Sequence, residues 1–143
     1  ITFMIKFLLY GAPAKEKTIS LALLIIRAAA GLLMMTHGWS KIQNFDNMVA
    51  GGFDPLGIGT SLSVILLIAA EFVAAIMIVL GLLTRLSAIP LVFAMGVAVF
   101  VAHAADPIAV KELAIIYLAV FAGLFFTGAG SFSLDYLLFG KKK

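Results

Sequence analysis

The chain has 143 residues, of which 64% are hydrophobic and only 12% charged, and its mean hydropathy is +1.19. A soluble domain needs about a quarter of its residues charged to cover its surface, so a soluble enzyme is excluded and an integral membrane protein is expected. The absence of cysteine rules out disulfides, thiolate nucleophiles and Cys-ligated iron–sulfur clusters, and the +3 charge, swollen by Lys141, Lys142 and Lys143, reads as membrane topology and not as a nucleic-acid footprint.

In chain order, residues 1–10 are apolar around a single Lys6 and are broken from the first long apolar run by Gly11 and Pro13. They are too short to cross a bilayer and are expected to lie in its interface. Signal-peptide cleavage is not expected, because the next apolar run carries Arg27 and continues to full spanning length. With Ile1 in place of an initiating Met, a few residues are expected upstream.

Spanning helices need about 20 mostly apolar residues. Four stretches qualify, 20–42, 62–83, 86–104 and 112–130, which predicts an all-α fold: an integral membrane four-helix antiparallel bundle in one domain, with short interfacial segments at both ends. Lys6, Lys15, Lys17, Arg85 and the three terminal lysines fall on one side, against Lys41 and Lys111 on the other. The richer side is expected to be cytoplasmic, with both termini inside. Between the first two spans, residues 43–61 combine five residues of Gly or Pro (Gly51, Gly52, Pro55, Gly57, Gly59) with apolar neighbours. The segment is expected either to fold over the bundle as a lid or to pack in the interface.

Ionisable residues inside apolar spans are costly and therefore informative. Arg27 in the first span and Glu71 in the second are expected to pair, as a structural clamp or as a handler of protons or substrate. Arg27, Met34, His37, Gly38 and Lys41 share a face of the first helix, which gives it a polar stripe. His103, Asp106, Lys111 and Glu112 lie at the same outer level, with Tyr117 one and a half turns into the fourth helix. His37, Lys41, His103, Glu112 and Tyr117 are the candidate ligand-binding set of an outward-facing pocket beneath the 43–61 loop. Two histidines on separate helices with no local motif argue against a metal or haem. They leave a quinone or other small organic ligand as the candidate, or a plain role in tying helix ends to loops. Ala119, Gly123 and Gly130 are expected to share a packing face with Glu112 on the fourth helix.

The runs Arg27-Ala-Ala-Ala-Gly-Leu-Leu-Met-Met-Thr-His-Gly-Trp-Ser-Lys41, Gly81-Leu-Leu-Thr-Arg-Leu-Ser-Ala-Ile-Pro90 with Glu71 ten residues before it, and Thr127-Gly-Ala-Gly-Ser-Phe-Ser-Leu-Asp135 resemble the DoxX family of small bacterial membrane proteins. The resemblance covers residues 20–138. It implies a four-helix bundle in the bacterial inner membrane, in which His37, Lys41, Glu71, Arg85, His103, Glu112 and Asp135 occupy recurring positions. The family is named after a small subunit associated with thiosulfate:quinone oxidoreductase, and relatives are linked to redox and oxidative-stress complexes. The resemblance therefore implies an auxiliary or structural subunit of a larger membrane complex, or a homo-oligomer. The alternatives are a quinone-reactive oxidoreductase subunit and a small-solute or ion carrier.

Overall fold

The structure is a computed structural model that describes residues 1–2 and 16–139. The expected interfacial segment 1–10 and the terminal lysines lie largely or wholly outside the described residues. Six helices are described: α1 (Glu16–Gln43), α2 (Phe45–Ala50), α3 (Thr60–Leu80), α4 (Thr84–Ala102), α5 (Ile108–Thr127) and α6 (Leu134–Phe139). Four of them, α1, α3, α4 and α5, are long and apolar enough to cross a membrane, and no strand occurs among the described residues. The protein is an all-helical, multi-pass membrane protein.

Local chemistry sets the helix ends. Glu16 in the first turn of α1 and Lys41 in its last turn each oppose the helix dipole. Helix α3 stops at Gly81, whose φ of 68° suits a residue without Cβ; its N–H donates to Ile78 O and that of Leu82 to Met77 O, which closes a Schellman motif. Pro107 precedes α5, which begins four residues before the expected span and ends where Gly128 turns to φ 73°.

Short connections make α3, α4 and α5 antiparallel in sequence. The long helices pack in the order α1, α3, α4, α5, and the closing contact between α5 and α1 is the sparsest. Met34, Ala75, Ile78, Leu91, Phe121 and Leu124 fill the centre and are shut off from the surface. Leu32, Leu66, Phe93, Phe100, Ile116 and Phe126 face outward. In water such a surface would be untenable, and here it is the belt that meets lipid.

The end of the bundle that carries the α3–α4 turn is fastened by three charged side chains. Arg27, 1% exposed, donates through Nε to Ile78 O (2.8 Å), through Nη1 to Ala129 O (2.6 Å), and through Nη2 to Phe132 O (2.9 Å) and Val79 O (3.4 Å). Ile78 and Val79 belong to the last turn of α3, where carbonyls lack helical partners and the dipole is negative. Across the turn, Asp135 accepts from the N–H groups of Leu83 (2.6 Å) and Thr84 (2.9 Å) and caps α4 from 51 residues away in sequence. Its own N–H donates to Gly81 O at 2.8 Å. Leu83 is thereby held at a left-handed φ of 47°, unusual for a residue with a branched side chain. Any Cβ on Gly81 would run into Ser133 and come within 3.0 Å of the Arg27 guanidinium carbon. Arg85 completes the pattern by donating to Phe125 O and Phe126 O at the end of α5.

This geometry corrects the expected pairing of Arg27 with Glu71. Gly38 lies level with Glu71, whereas the Arg27 guanidinium reaches Ile78 O and Val79 O, two turns further along α3, so the two charges sit at different levels, about 11 Å apart along α3 at 1.5 Å per residue. Four carbonyls take the guanidinium instead, and Glu71 has another partner.

Candidate functional site

At the opposite end of the bundle both α3 and α4 depart from α-helical winding. Helix α3 widens to π-helix over Ala69–Ala74, the stretch that contains Glu71, and α4 does so over Ala98–Ala102, immediately before His103. Such stretches interrupt the regular ladder and recur where a helix serves a ligand. On α1, Gly38 faces the first of them directly: a Cβ there would lie 2.7–2.8 Å from the backbone of Glu71 and Phe72. Only glycine permits this approach, and it brings the flanking side chains His37 and Lys41 up to α3.

The result is a pocket of about 220 Å³ lined by His37, Glu71, His103, Lys111 and Tyr117, with Met34 and Met95 on its apolar side. Glu71 is 4% exposed, and Lys41 Nζ stands 2.6 Å from its Oε2. The ammonium approaches off the hydrogen-bonding axis, so Oε2 remains buried without an aligned donor. The His37 ring meets the Tyr117 ring edge-on at 5.8 Å, and Tyr117 stacks on Phe121 at 5.8 Å. His103 Nδ1 lies 2.7 Å from Asp106 Oδ2 in a surface-exposed pair. Beside an ionised Asp106, Nδ1 is the donor of this pair and Nε2 is left without a partner among the described residues. Lys111 Nζ reaches only Val99 O, at 3.5 Å, in the second π stretch.

Of the residues singled out in the sequence, His37, His103 and Tyr117 line the pocket and Lys41 joins it through Glu71. Glu112 does not join them. Lys111, Ala114 and Tyr117 form the i, i+3, i+6 row of α5 that faces the cavity, and Glu112 lies off that row on the exposed surface. Ala119 and Gly123 are exposed as well, and a Cβ on Gly123 would touch nothing, so that face of α5 packs against none of the described helices. No residue of the 43–61 loop lines the pocket; the α4–α5 connection borders it. Sequence reasoning puts Lys111 at the outer level but leaves it out of the ligand-binding set, although its place in the Tyr117 row marks it; it misses both π stretches, which carry no local sequence mark.

A larger, open groove of about 490 Å³ lies at the Arg27 end, between the start of α4, residues 127–130 and α6. Its charged groups, Arg85 and Asp135, are already bonded to backbone. The smaller pocket is the candidate site because its polar groups converge with bonding capacity unused. Among the described residues, no three His, Cys, Asp or Glu side chains gather as a metal site would require.

Comparison with known proteins gives one family. The DoxX family model matches residues 22–104. An uncharacterized protein of Haemophilus influenzae is 34% identical over 128 residues, which cover 83% of this chain and 92% of that protein. No solved structure matches.

Proposed function

The chain belongs to the DoxX family, and from that premise we propose that it is an auxiliary subunit of a bacterial inner-membrane complex that holds the polar head of a lipid-soluble, quinone-type molecule. The observation that carries this reading is the convergence of Glu71, His37, Tyr117, His103 and Lys111 on a cavity of about 220 Å³ among the spanning helices. The volume is below the usual drug-sized range and suits one ring, whose tail would extend into lipid. With no cysteine in the chain, thiol or persulfide chemistry falls to a partner. The excess of Lys and Arg around the Arg27 end supports a cytoplasmic position for that end and an outer position for the pocket.

Two other readings rank below it. A purely structural subunit is favoured by the Arg27 and Asp135 fastening, which stabilises the bundle without any ligand. A carrier has the least support, since Ile78, Leu91 and Phe121, all 0% exposed, fill the space between the two ends. The test is purification of the tagged protein from native membranes in mild detergent, with quinone extraction and mass spectrometry of co-purifying chains. Stoichiometric quinone together with a partner of fixed stoichiometry is the expected result. A partner without quinone, from both wild type and Glu71→Gln, would leave the structural reading.

A further inference from the structure

The hydrogen-bonding groups around the pocket are unevenly divided. At its buried wall stands the Glu71 carboxylate, which in its ion pair with Lys41 can only accept; no described group donates an aligned hydrogen bond to it. His37 makes no hydrogen bond to any described residue, and His103 presents Nε2 once Asp106 has taken Nδ1. Donors with unused capacity are Lys111, at the half-exposed rim, where a single 3.5 Å contact to Val99 O occupies it, the Tyr117 hydroxyl and one ring N–H of His37. A ligand that only accepts could satisfy these donors but would leave the buried carboxylate facing a second acceptor. One that donates at its inner end meets the Glu71 carboxylate, to which no described group donates an aligned hydrogen bond. The lining favours a ring: Met34 and Met95 contribute apolar wall, and His37 and Tyr117 meet edge-on beside it.

We infer that the pocket selects a hydroxyl-bearing aromatic ring, of the phenol or hydroquinone class, whose hydroxyl donates to the Glu71 carboxylate, over the same ring carrying only acceptors. This rests on the head-group reading above and sharpens it: the molecule is retained in its reduced, hydrogen-bond-donating form. Glu71 acts as the specificity determinant, and Lys41, 2.6 Å from Oε2, orients its carboxylate.

Two matched pairs of probes test this: phenol against anisole, and hydroquinone against 1,4-dimethoxybenzene. Each is titrated into the purified protein in detergent by calorimetry, against protein-free micelles as the blank. Methylation deletes the donor and keeps the ring. The expected result is that the hydroxyl member of each pair binds about 10- to 100-fold more tightly, as loss of a hydrogen bond to a charged group requires. In Glu71→Gln, whose amide offers donors of its own, that advantage should fall below about threefold. Equal affinities in the wild type, or tighter binding of the methyl ethers, would overturn the donor preference while leaving a head-group site in place. A preference that persists undiminished in Glu71→Gln would overturn the role of Glu71. Failure of all four probes to bind would remove the head-group reading itself. Should Glu71→Gln not assemble, the wild-type pairs decide the question alone.

Discussion

The two ends of this bundle use the same kinds of residue to opposite effect. At the turn between α3 and α4, Arg27, Arg85 and Asp135 direct their polar atoms to backbone groups that helix termini leave unpaired, and the sign of each charge opposes the local dipole. The buried hydroxyl of Thr84 is the exception there. At the other end, Glu71, His37, Tyr117 and Lys111 surround a cavity and make few bonds among themselves. Charge inside a membrane protein is therefore not by itself a mark of function. What separates a fastening from a site is whether the polar atoms are already satisfied.

If this distinction holds, substitutions at the fastened end should cost stability first, and substitutions at the pocket should cost binding first. The largest effect is expected for Arg27→Leu, which strands four carbonyls in an apolar interior; we expect about 4 kcal/mol of destabilisation, in the range seen when one partner of a buried charged network is removed. Thermal unfolding in detergent measures it, and a loss under about 1 kcal/mol would undo the assignment. Gly38→Ala comes next. Its Cβ would press on the Glu71 backbone, and we expect about 2 kcal/mol of overpacking with loss of ligand binding, because α1 and α3 must separate where the pocket is built. Asp135→Ala removes a helix cap and should cost about 1 kcal/mol with the pocket's affinity unchanged. Glu71→Gln should move stability by less than about 1 kcal/mol in either direction, since its carboxylate is poorly satisfied and Lys41 can turn toward water. A Glu71→Gln protein as unstable as Arg27→Leu would place Glu71 among the fastenings.

How much of this the sequence can disclose depends on which interactions are local. Apolar runs of about 20 residues reveal spanning helices because bilayer thickness sets their length, and the α1 stripe with Arg27, Met34 and Gly38 is plain from 100° periodicity. Partners across helices are another matter. Arg27 and Glu71 look like natural partners by sign and burial, and only the register between α1 and α3, set by Gly31 and Gly38 against α3, moves them apart. Asp135 caps a helix that starts 51 residues earlier, and no local motif announces a cap in trans. Glu112 and Lys111 are adjacent in sequence, so a shift of four residues in the start of α5 is enough to pick the wrong one for the pocket.

A second carboxylate at the pocket end gives the finest test of the comparison. Asp54 lies just before α3 and accepts from the N–H groups of Ile58 (2.9 Å) and Gly59 (3.0 Å) and from the Ser63 hydroxyl (2.9 Å). Partial withdrawal from water works against its charge, but the donors of Gly59, Ser63, Ile58 and Gly57 prevail and hold it below the usual carboxylate range. A carboxyl whose pKa is lower in the folded state holds fewer protons there than in the unfolded chain. Its contribution is therefore complete above the unfolded value of about 4 and is lost as pH falls through the lower folded value. Backbone amide shifts of Ile58 and Gly59, followed by NMR from neutral pH downward, should stay constant until below about pH 4 and then move together. Asp54→Asn should abolish that step and leave phenol binding as it was, because the 43–61 loop does not line the pocket. If Asp54→Asn weakened phenol binding as strongly as Glu71→Gln, the satisfied and unsatisfied carboxylates would be serving one site, and hydrogen-bond satisfaction would no longer tell fastening from function.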